Sequence, residues 1–166
     1  MIRERNPADD EVIREVNDAA FGGSDESRLV EDLRAAELAM IELVAVEQSA
    51  IVGHILFSRL AVALDGRPIR TLALAPMSVW PGRQRRGIGS GLVRHGLNLA
   101  RERGWQAVIV LGHPGYYPRL GFSARLARPL KAPFTGDAFM TLELVPRALH
   151  GVDGQVVYPP PFGIVS

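Results

Sequence analysis

The chain has 166 residues, 47% hydrophobic and 22% charged, which is the composition and length of an ordinary single-domain globular protein. The absence of cysteine excludes disulfides, thiolate nucleophiles and cysteine-bound zinc. The net charge of +1 is too small for long-range attraction to nucleic acid or anionic membranes. No apolar run is long enough to span a bilayer. We therefore expect one cytoplasmic domain over 1–166 that binds neither nucleic acid nor a membrane.

The N-terminal part of the chain predicts a short strand at 2–4 followed by two amphipathic helices. Asp9 or Asp10 can cap the first helix, and Phe21-Gly22-Gly23 ends it, since glycine stops a helix. The second helix begins near Asp25, where acidic side chains suit the positive end of the helix dipole. Apolar residues recur at helical spacing in both helices: Val12, Ile13, Val16, Ala19 and Ala20, then Leu29, Val30, Leu33 and Ala36.

Three strands are predicted next, connected as hairpins. The runs rich in Val, Ile and Leu are 41–47, 51–60 and 69–79. Gln48-Ser49-Ala50 forms the first connection, and Asp65-Gly66 supplies the positive-φ residues of a hairpin turn. Pro76 has no N–H for a strand ladder, so the third strand should bulge or leave its neighbour there.

The C-terminal half predicts a third helix, two further strands and an extended tail. The helix buries Leu92, Val93, Leu97 and Ala100 and ends at Gly104. The wholly apolar run 107–111 is typical of a central strand covered on both faces, and 139–145 predicts the last strand. The core thus covers about 1–145, and the proline-rich tail 151–166 should be extended.

The turn between the third strand and the third helix carries the strongest functional signal. Glycines at 87, 89 and 91 remove side chains that would keep an anion away from backbone N–H groups. The first N–H groups of a helix have no carbonyl partner within it, and the helix dipole adds positive potential there. Three arginines flank the turn: Arg83, Arg85 and Arg86. The pattern favours a phosphate or pyrophosphate ligand, although a solvated arginine face on a glycine-rich turn explains the same residues.

Two common phosphate-binding motifs do not match this turn. The P-loop ending Gly-Lys-Ser/Thr is absent, and residues 87–91 do not complete the dinucleotide fingerprint. The preceding strands also form hairpins rather than a βαβ unit. A nucleotide-binding fold is therefore disfavoured.

The residues 84–89, Gln-Arg-Arg-Gly-Ile-Gly, resemble the cofactor motif Gln/Arg-x-x-Gly-x-Gly/Ala of the GNAT N-acetyltransferase superfamily. Residues 117–122, Tyr-Pro-Arg-Leu-Gly-Phe, resemble its second marker, Tyr-x-x-x-Gly-Phe, and the order of elements over about 1–145 agrees. The chain looks most like a small bacterial branch of uncharacterised predicted acetyltransferases. The resemblance implies an α+β GNAT fold: a mostly antiparallel mixed sheet of six to seven strands, a splayed pair of fourth and fifth strands, and about four helices.

The same resemblance implies acetyl-coenzyme A as the cofactor. Its pantetheine arm would pair with the fourth strand around Met77, Ser78 and Val79, and a backbone N–H near Val79 would polarise the thioester carbonyl. Its pyrophosphate would lie on the glycine turn. The turn residues implied to bind it are Gln84, Arg85, Arg86, Gly87, Ile88, Gly89 and Ser90.

The implied reaction is direct attack on the thioester by a primary amine, carried by a small molecule or a peptide. Tyr117 is the candidate general acid, because a phenol is protonated at neutral pH and can give its proton to the leaving thiolate. His113 is the candidate base, because imidazole changes charge near neutral pH. A loop histidine without a role, and bulk water as proton acceptor, stay open. The other histidines lack ligand spacing, so no metal site is predicted: His54, His95 and His150.

Two alternatives remain beside the enzyme. One is a catalytically degenerate acetyl-coenzyme A-binding sensor or scaffold, which would not need the phenol of Tyr117. The other is a nucleic-acid binder using the arginines of 83–94, which lacks aromatic platforms beside them. Acceptor choice should lie in the loop 21–25 and in the segment 126–139, and a homodimer is compatible with the sequence.

Overall fold

The computed structural model describes residues 1–164. Its strands in chain order are β1 (Ile2–Glu4), β2 (Ala39–Glu47), β3 (Ala50–Leu64), β4 (Arg67–Val79), β5 (Ala107–Leu111), β6 (Leu130–Lys131), β7 (Phe139–Glu143) and β8 (Gly154–Val157). Its α-helices are α1 (Asp10–Phe21), α2 (Asp25–Ala35) and α3 (Ile88–Glu102). The end of the predicted extended tail, Val165 and Ser166, lies outside the described residues.

The strands form a mixed sheet in the order β1-β2-β3-β4-β5-β7, with β8 paired to β3 and β6. The pairs β4–β5 and β6–β8 are parallel, whereas β1–β2, β2–β3, β3–β8 and β5–β7 are antiparallel. The predicted fold class is confirmed, but residues 1–164 contain eight strands rather than six or seven and three α-helices rather than about four. After β5, Tyr117–Leu120 forms a 3-10 turn that ends at the left-handed Gly121.

The chain divides into two compact units, one made of 1–58 and 75–99 and the other of 59–74 and the residues from 100 onward. The single domain over 1–166 stays a prediction. Within the described part of the chain, no helix is both long and apolar enough to cross a membrane.

Both predicted hairpin turns are confirmed by their backbone angles. Gln48 and Ser49 have φ of 50° and 66°, and Asp65 and Gly66 have φ of 51° and 79°. Two successive positive φ values match the right-handed twist of the flanking strands. In the second unit Asp65 also anchors the segment before β8, because its carboxylate accepts a hydrogen bond of 2.9 Å from the backbone N–H of Asp153.

In the first unit, α3 packs closely on β3 because glycines occupy the points of contact. A Cβ on Gly53 would lie 3.1 Å from the side chains of both Ile88 and Leu92. A Cβ on Gly96 would lie 2.5 Å from the ring of Phe57, where no carbon atom fits. The start of α3 is therefore fixed against the sheet.

The other face of β3 in this unit carries a buried polar network. The Asn17 amide nitrogen donates to the Ile13 carbonyl at 3.0 Å and lies 3.1 Å from Nδ1 of His54. An amide nitrogen can only donate, so Nδ1 accepts and Nε2 carries the proton that His54 donates to Glu42 at 2.8 Å. Arg34 also donates to Glu42, with Nε at 3.0 Å. The network joins α1 and α2 to β2 and β3.

This network explains why the predicted buried face of α1 is partly wrong. Val12 and Ala19 were expected to be buried, but both are exposed, and the polar Asn17 is fully buried instead. The buried amide nitrogen of Asn17 is paired with the Ile13 carbonyl and His54, whereas its Oδ1 has no hydrogen-bond partner among residues 1–164. His54 acts as a structural histidine.

Burial and hydrogen bonding set the charge states in this network. Burial alone would raise the pKa of Glu42, but hydrogen bonds from His54 and Arg34 outweigh it and lower the pKa to about 2. Burial lowers the pKa of His54 below its ordinary value, against the opposing hydrogen bond to Glu42. Both folded-state values lie below the unfolded ones, so the network stabilises the fold near neutral pH and loses that contribution as the pH falls.

In the second unit, the C-terminal tail packs on its own core. Tyr158 lies edge-on to Phe134 with ring centroids 5.4 Å apart, and Phe162 contacts Tyr158 at 5.2 Å. Both residues pack against the cluster that includes Phe139 and Val156. These two aromatic residues of the tail are thus part of the fold.

The Glu42→Gln substitution should lower the free energy of unfolding by about 3 kcal/mol, because it removes one charge of a buried ion pair. The wild-type protein should also lose stability as the pH falls from 4.5 toward 2, and the variant should lack that part of the dependence, because the carboxylate that titrates there is gone. Urea unfolding at several pH values measures both effects.

Glu31→Gln is the matched control for this prediction. Glu31 pairs with Arg14 at 2.6 Å, but the two side chains are 45% and 57% exposed, so its loss should matter little. Equal losses for the two variants, with the same acid dependence, would contradict the role given to Glu42.

Candidate functional site

The glycine turn of the first unit leads from the end of β4 into α3. The Trp80 N–H donates to the Val52 carbonyl at 2.8 Å, which ties the residue after β4 to β3. A 3-10 turn, Pro81–Arg83, follows. The Gln84 amide then reaches back to the Val79 carbonyl at 3.1 Å, which ties the turn to the strand end.

Two residues of this turn adopt left-handed backbone conformations. Arg85 has φ of 64° and Gly87 has φ of 82°. A Cβ on Gly87 would meet no atom within 4 Å, so glycine is needed there for conformation and not for space. The backbone at Gly87 is solvent-exposed, and α3 begins at Ile88. The turn therefore presents bare backbone beside the positive end of a helix, which suits an anion.

The residues predicted to hold the anion fall on this exposed turn. Gln84, Arg85 and Arg86 are exposed, while Ile88, Gly89 and Ser90 are half-buried in the first turn of α3. The Gly91 N–H donates to the Gly87 carbonyl at 3.0 Å, which is the hydrogen bond that closes the first helical turn. Arg83 lies 3.9 Å from Glu47, so that guanidinium is partly neutralised.

The end of β4 presents the residues predicted to face the pantetheine arm. β4 continues through Pro76 to Val79, and its parallel pairing with β5 covers only Thr71–Ala73 among the described residues, as the predicted splayed pair requires. Ser78 is 2% exposed, and its hydroxyl has no hydrogen-bond partner among residues 1–164. A buried hydroxyl without a partner is uncommon, so Ser78 marks this strand end as a polar site.

Tyr117, in the second unit, is held in a compact aromatic cluster. Its ring is 7% exposed and lies edge-on to Tyr116 and Phe122, with centroids 5.0 and 5.5 Å away. The Tyr117 N–H donates to the His113 carbonyl at 3.3 Å, and the Tyr117 carbonyl accepts from Phe122 at 3.3 Å. Burial, reinforced by Tyr116, raises the pKa of Tyr117 to about 12, so its hydroxyl is protonated at neutral pH.

The candidate base is less enclosed than the candidate acid. His113 is exposed, and its backbone carbonyl accepts hydrogen bonds from the N–H groups of Tyr116 and Tyr117. The loop thus brings His113 and Tyr117 together through the backbone. No side chain among residues 1–164 is hydrogen-bonded to the His113 imidazole to orient it.

Gly112 contacts the candidate acid, although no sequence motif singles it out. A Cβ on Gly112 would lie 2.3 Å from Cε2 and 2.6 Å from Cδ2 of the Tyr117 ring. The available signal was a glycine directly after the apolar run of β5. A lone glycine at that position is also typical of an ordinary strand end, so only the structure reveals its contact with the Tyr117 ring.

Comparison with known proteins finds the same family over most of the chain. The family model described as an acetyltransferase (GNAT) domain matches residues 1–125. The uncharacterised N-acetyltransferase YhbS of Escherichia coli K12 is 32% identical over 161 residues, which is 95% of each chain. Its crystal structure in complex with CoA superposes with a TM-score of 0.89 at 31% identity, covering 100% of this chain and 93% of that one.

A second solved structure is similar over nearly its whole length. A GNAT family acetyltransferase from Brucella melitensis, crystallised in complex with acetyl-CoA, is 36% identical with a TM-score of 0.79. The match covers 98% of this chain and 97% of that chain. Both similarities extend well beyond the glycine turn.

Proposed function

Since the chain belongs to the GNAT family of N-acetyltransferases, we propose that it transfers an acetyl group from acetyl-coenzyme A to a primary amine by direct attack on the thioester. The observation that carries this proposal is the exposed left-handed turn at Gly87, which opens directly into α3. The complexes of its two relatives with CoA and acetyl-CoA support the choice of ligand.

The turn would hold the pyrophosphate of the cofactor. An anion can approach the backbone N–H groups of Gly87, Ile88 and Gly89, because neither glycine has a Cβ in the way. Arg85 and Arg86, both exposed, add positive charge around the phosphates. Gln84 keeps the turn in place through its bond to the Val79 carbonyl.

The end of β4 would hold the pantetheine arm and the acetyl group. An extended arm adds to a free strand edge by backbone hydrogen bonds, and β4 is unpaired with β5 beyond Ala73 in the described chain. The N–H of Val79 would polarise the thioester carbonyl as negative charge develops on its oxygen. Met77 and Ser78 complete this strand end.

Tyr117 would supply the proton that the leaving thiolate needs. Its hydroxyl stays protonated through the neutral and mildly alkaline range, because its pKa is about 12. No protein group within residues 1–164 takes a hydrogen bond from it, so the proton is available to a ligand. His113 or water would receive the proton that the amine loses as it attacks.

The acceptor class is tested directly by a thiol-release assay. Acetyl-coenzyme A is offered with polyamines, amino acids, aminoglycosides, and peptides with free N-termini or lysines. Amine-dependent release of CoA, with N-acetylated product confirmed by mass spectrometry, supports the enzyme. Cofactor binding without turnover on any amine would support a sensor or scaffold instead.

Gly87→Ala should weaken the binding of acetyl-coenzyme A about ten-fold or more, measured by calorimetry. At φ of 82° alanine is strained, so the turn relaxes and its N–H groups move. Gly104→Ala is the matched control, because Gly104 has φ of 84° and equally open surroundings but lies at the end of α3. Equal affinities of the two variants for acetyl-coenzyme A would show that the pyrophosphate does not bind at the turn.

Tyr117→Phe should lower kcat about 100-fold or more with little change in acetyl-coenzyme A affinity, because the ring and its packing remain while the proton is lost. Tyr116→Phe is the control, since it removes a neighbouring phenol of the same cluster. Steady-state kinetics and calorimetry separate the two effects. Full turnover in Tyr117→Phe would eliminate it as the acid.

His113→Gln should lower kcat about ten-fold or more and change the pH–rate profile, because an imidazole can accept the proton of the attacking amine and a glutamine amide cannot. His95→Gln, another exposed histidine, is the control. Unchanged pH–rate profiles for both variants would assign the base to water.

A further inference from the structure

We infer that Gly112 positions the phenol of Tyr117 for proton transfer by leaving room for its ring. This inference rests on the proposed role of Tyr117 as the acid. A Cβ built on Gly112 would lie 2.3 Å from Cε2, 2.6 Å from Cδ2 and 3.4 Å from Cζ of Tyr117. Carbon atoms in contact normally lie about 3.5 to 4.0 Å apart, so the ring cannot keep its place beside any larger residue.

Space, and not backbone conformation, is what requires glycine at this position. Gly112 is not among the glycines with positive φ, whereas Gly121, at the other end of the same turn, has φ of 101°. The φ of Gly112 therefore does not require glycine. Glycine is therefore needed at position 112 because any side chain there would collide with the Tyr117 ring.

Neither partner in this contact can readily move aside. The Gly112 N–H donates to the Ala138 carbonyl at 2.9 Å, which fixes the glycine beside the chain that enters β7. The ring is flanked by Tyr116 and Phe122, both nearly perpendicular to it, with interplanar angles of 86° and 80°. A methyl group at position 112 must push the ring, and the hydroxyl at its far end moves with it.

Gly112→Ala should therefore lower kcat about 10-fold to 100-fold, because a shift of about 1 Å in a reacting group has an effect of that size. The affinity for acetyl-coenzyme A should change less than about two-fold, since the turn 84–89 is untouched. Gly115→Ala is the matched control, because a Cβ there meets nothing within 4 Å and its φ is not positive. It should keep full turnover.

A double-mutant cycle on kcat distinguishes positioning from a general effect on the fold. If Gly112 acts through the phenol, Gly112→Ala should change kcat less than about two-fold once Tyr117→Phe has removed the hydroxyl. Losses that multiply would overturn the inference and leave Tyr117 as the acid. Full turnover in Tyr117→Phe alone would instead overturn the acid, and the positioning role with it.

A second cycle, on stability, keeps the inference testable if Gly112→Ala folds poorly. Tyr117→Ala vacates the space beside the glycine, so adding Gly112→Ala should then shift the urea midpoint much less than it does in the wild-type protein. An equal shift in both backgrounds would show that the methyl group meets something other than the ring, and would overturn the inference.

Discussion

The close packing of α3 on β3 is the constraint on which the proposed cofactor site depends. Gly53 and Gly96 let the helix approach until Ile88, Leu92 and Phe57 fill the contact. Because Ile88 is the first residue of α3, the same contact fixes the helix start and the turn before it. Bare N–H groups bind an anion well only when they are already aligned, and this packing provides the alignment.

In the first unit, β3 is covered by α3 on one face and by α1 on the other. Successive residues of a strand point to opposite faces, so Gly53 faces α3 while His54 faces α1. The α3 side is held by apolar side chains that pack against the two glycines, and the α1 side by the hydrogen bonds of Asn17, His54 and Glu42. The polar side adds a dependence on pH that the apolar side lacks, so acid should loosen α1 before it disturbs the glycine turn.

The sequence predicts best those features that depend on local chemistry. The bounds of β5, the buried face of α3, the stop at Gly104 and the turn at Asp65-Gly66 all follow from periodicity or from positive φ. The turn at Gly87 is of the same kind, since its φ requires glycine.

Features that depend on distant partners are missed. β6 has two residues and pairs with β8, so neither strand has enough alternation to be recognised without the other. Asn17 interrupts an apolar face, and only the position of His54 across the fold makes its burial favourable. Gly112 belongs to this group too, because its role depends on the ring of a residue beyond the His113-Pro114-Gly115 loop.

Burial of Tyr117 has two opposing effects on its proposed role. A pKa of about 12 makes the phenol a weaker acid than it is in water, which alone would slow proton donation. The cause of that shift, however, is surroundings that disfavour any negative charge, and a thiolate formed beside the same hydroxyl would be disfavoured in the same way. Proton donation moves this charge from the sulfur to the phenolate, and the proton that the amine loses can then restore the phenol. The transfer requires the hydroxyl to be in place when the carbon–sulfur bond breaks, so the rate depends on the position of the ring as well as on the acidity of the phenol.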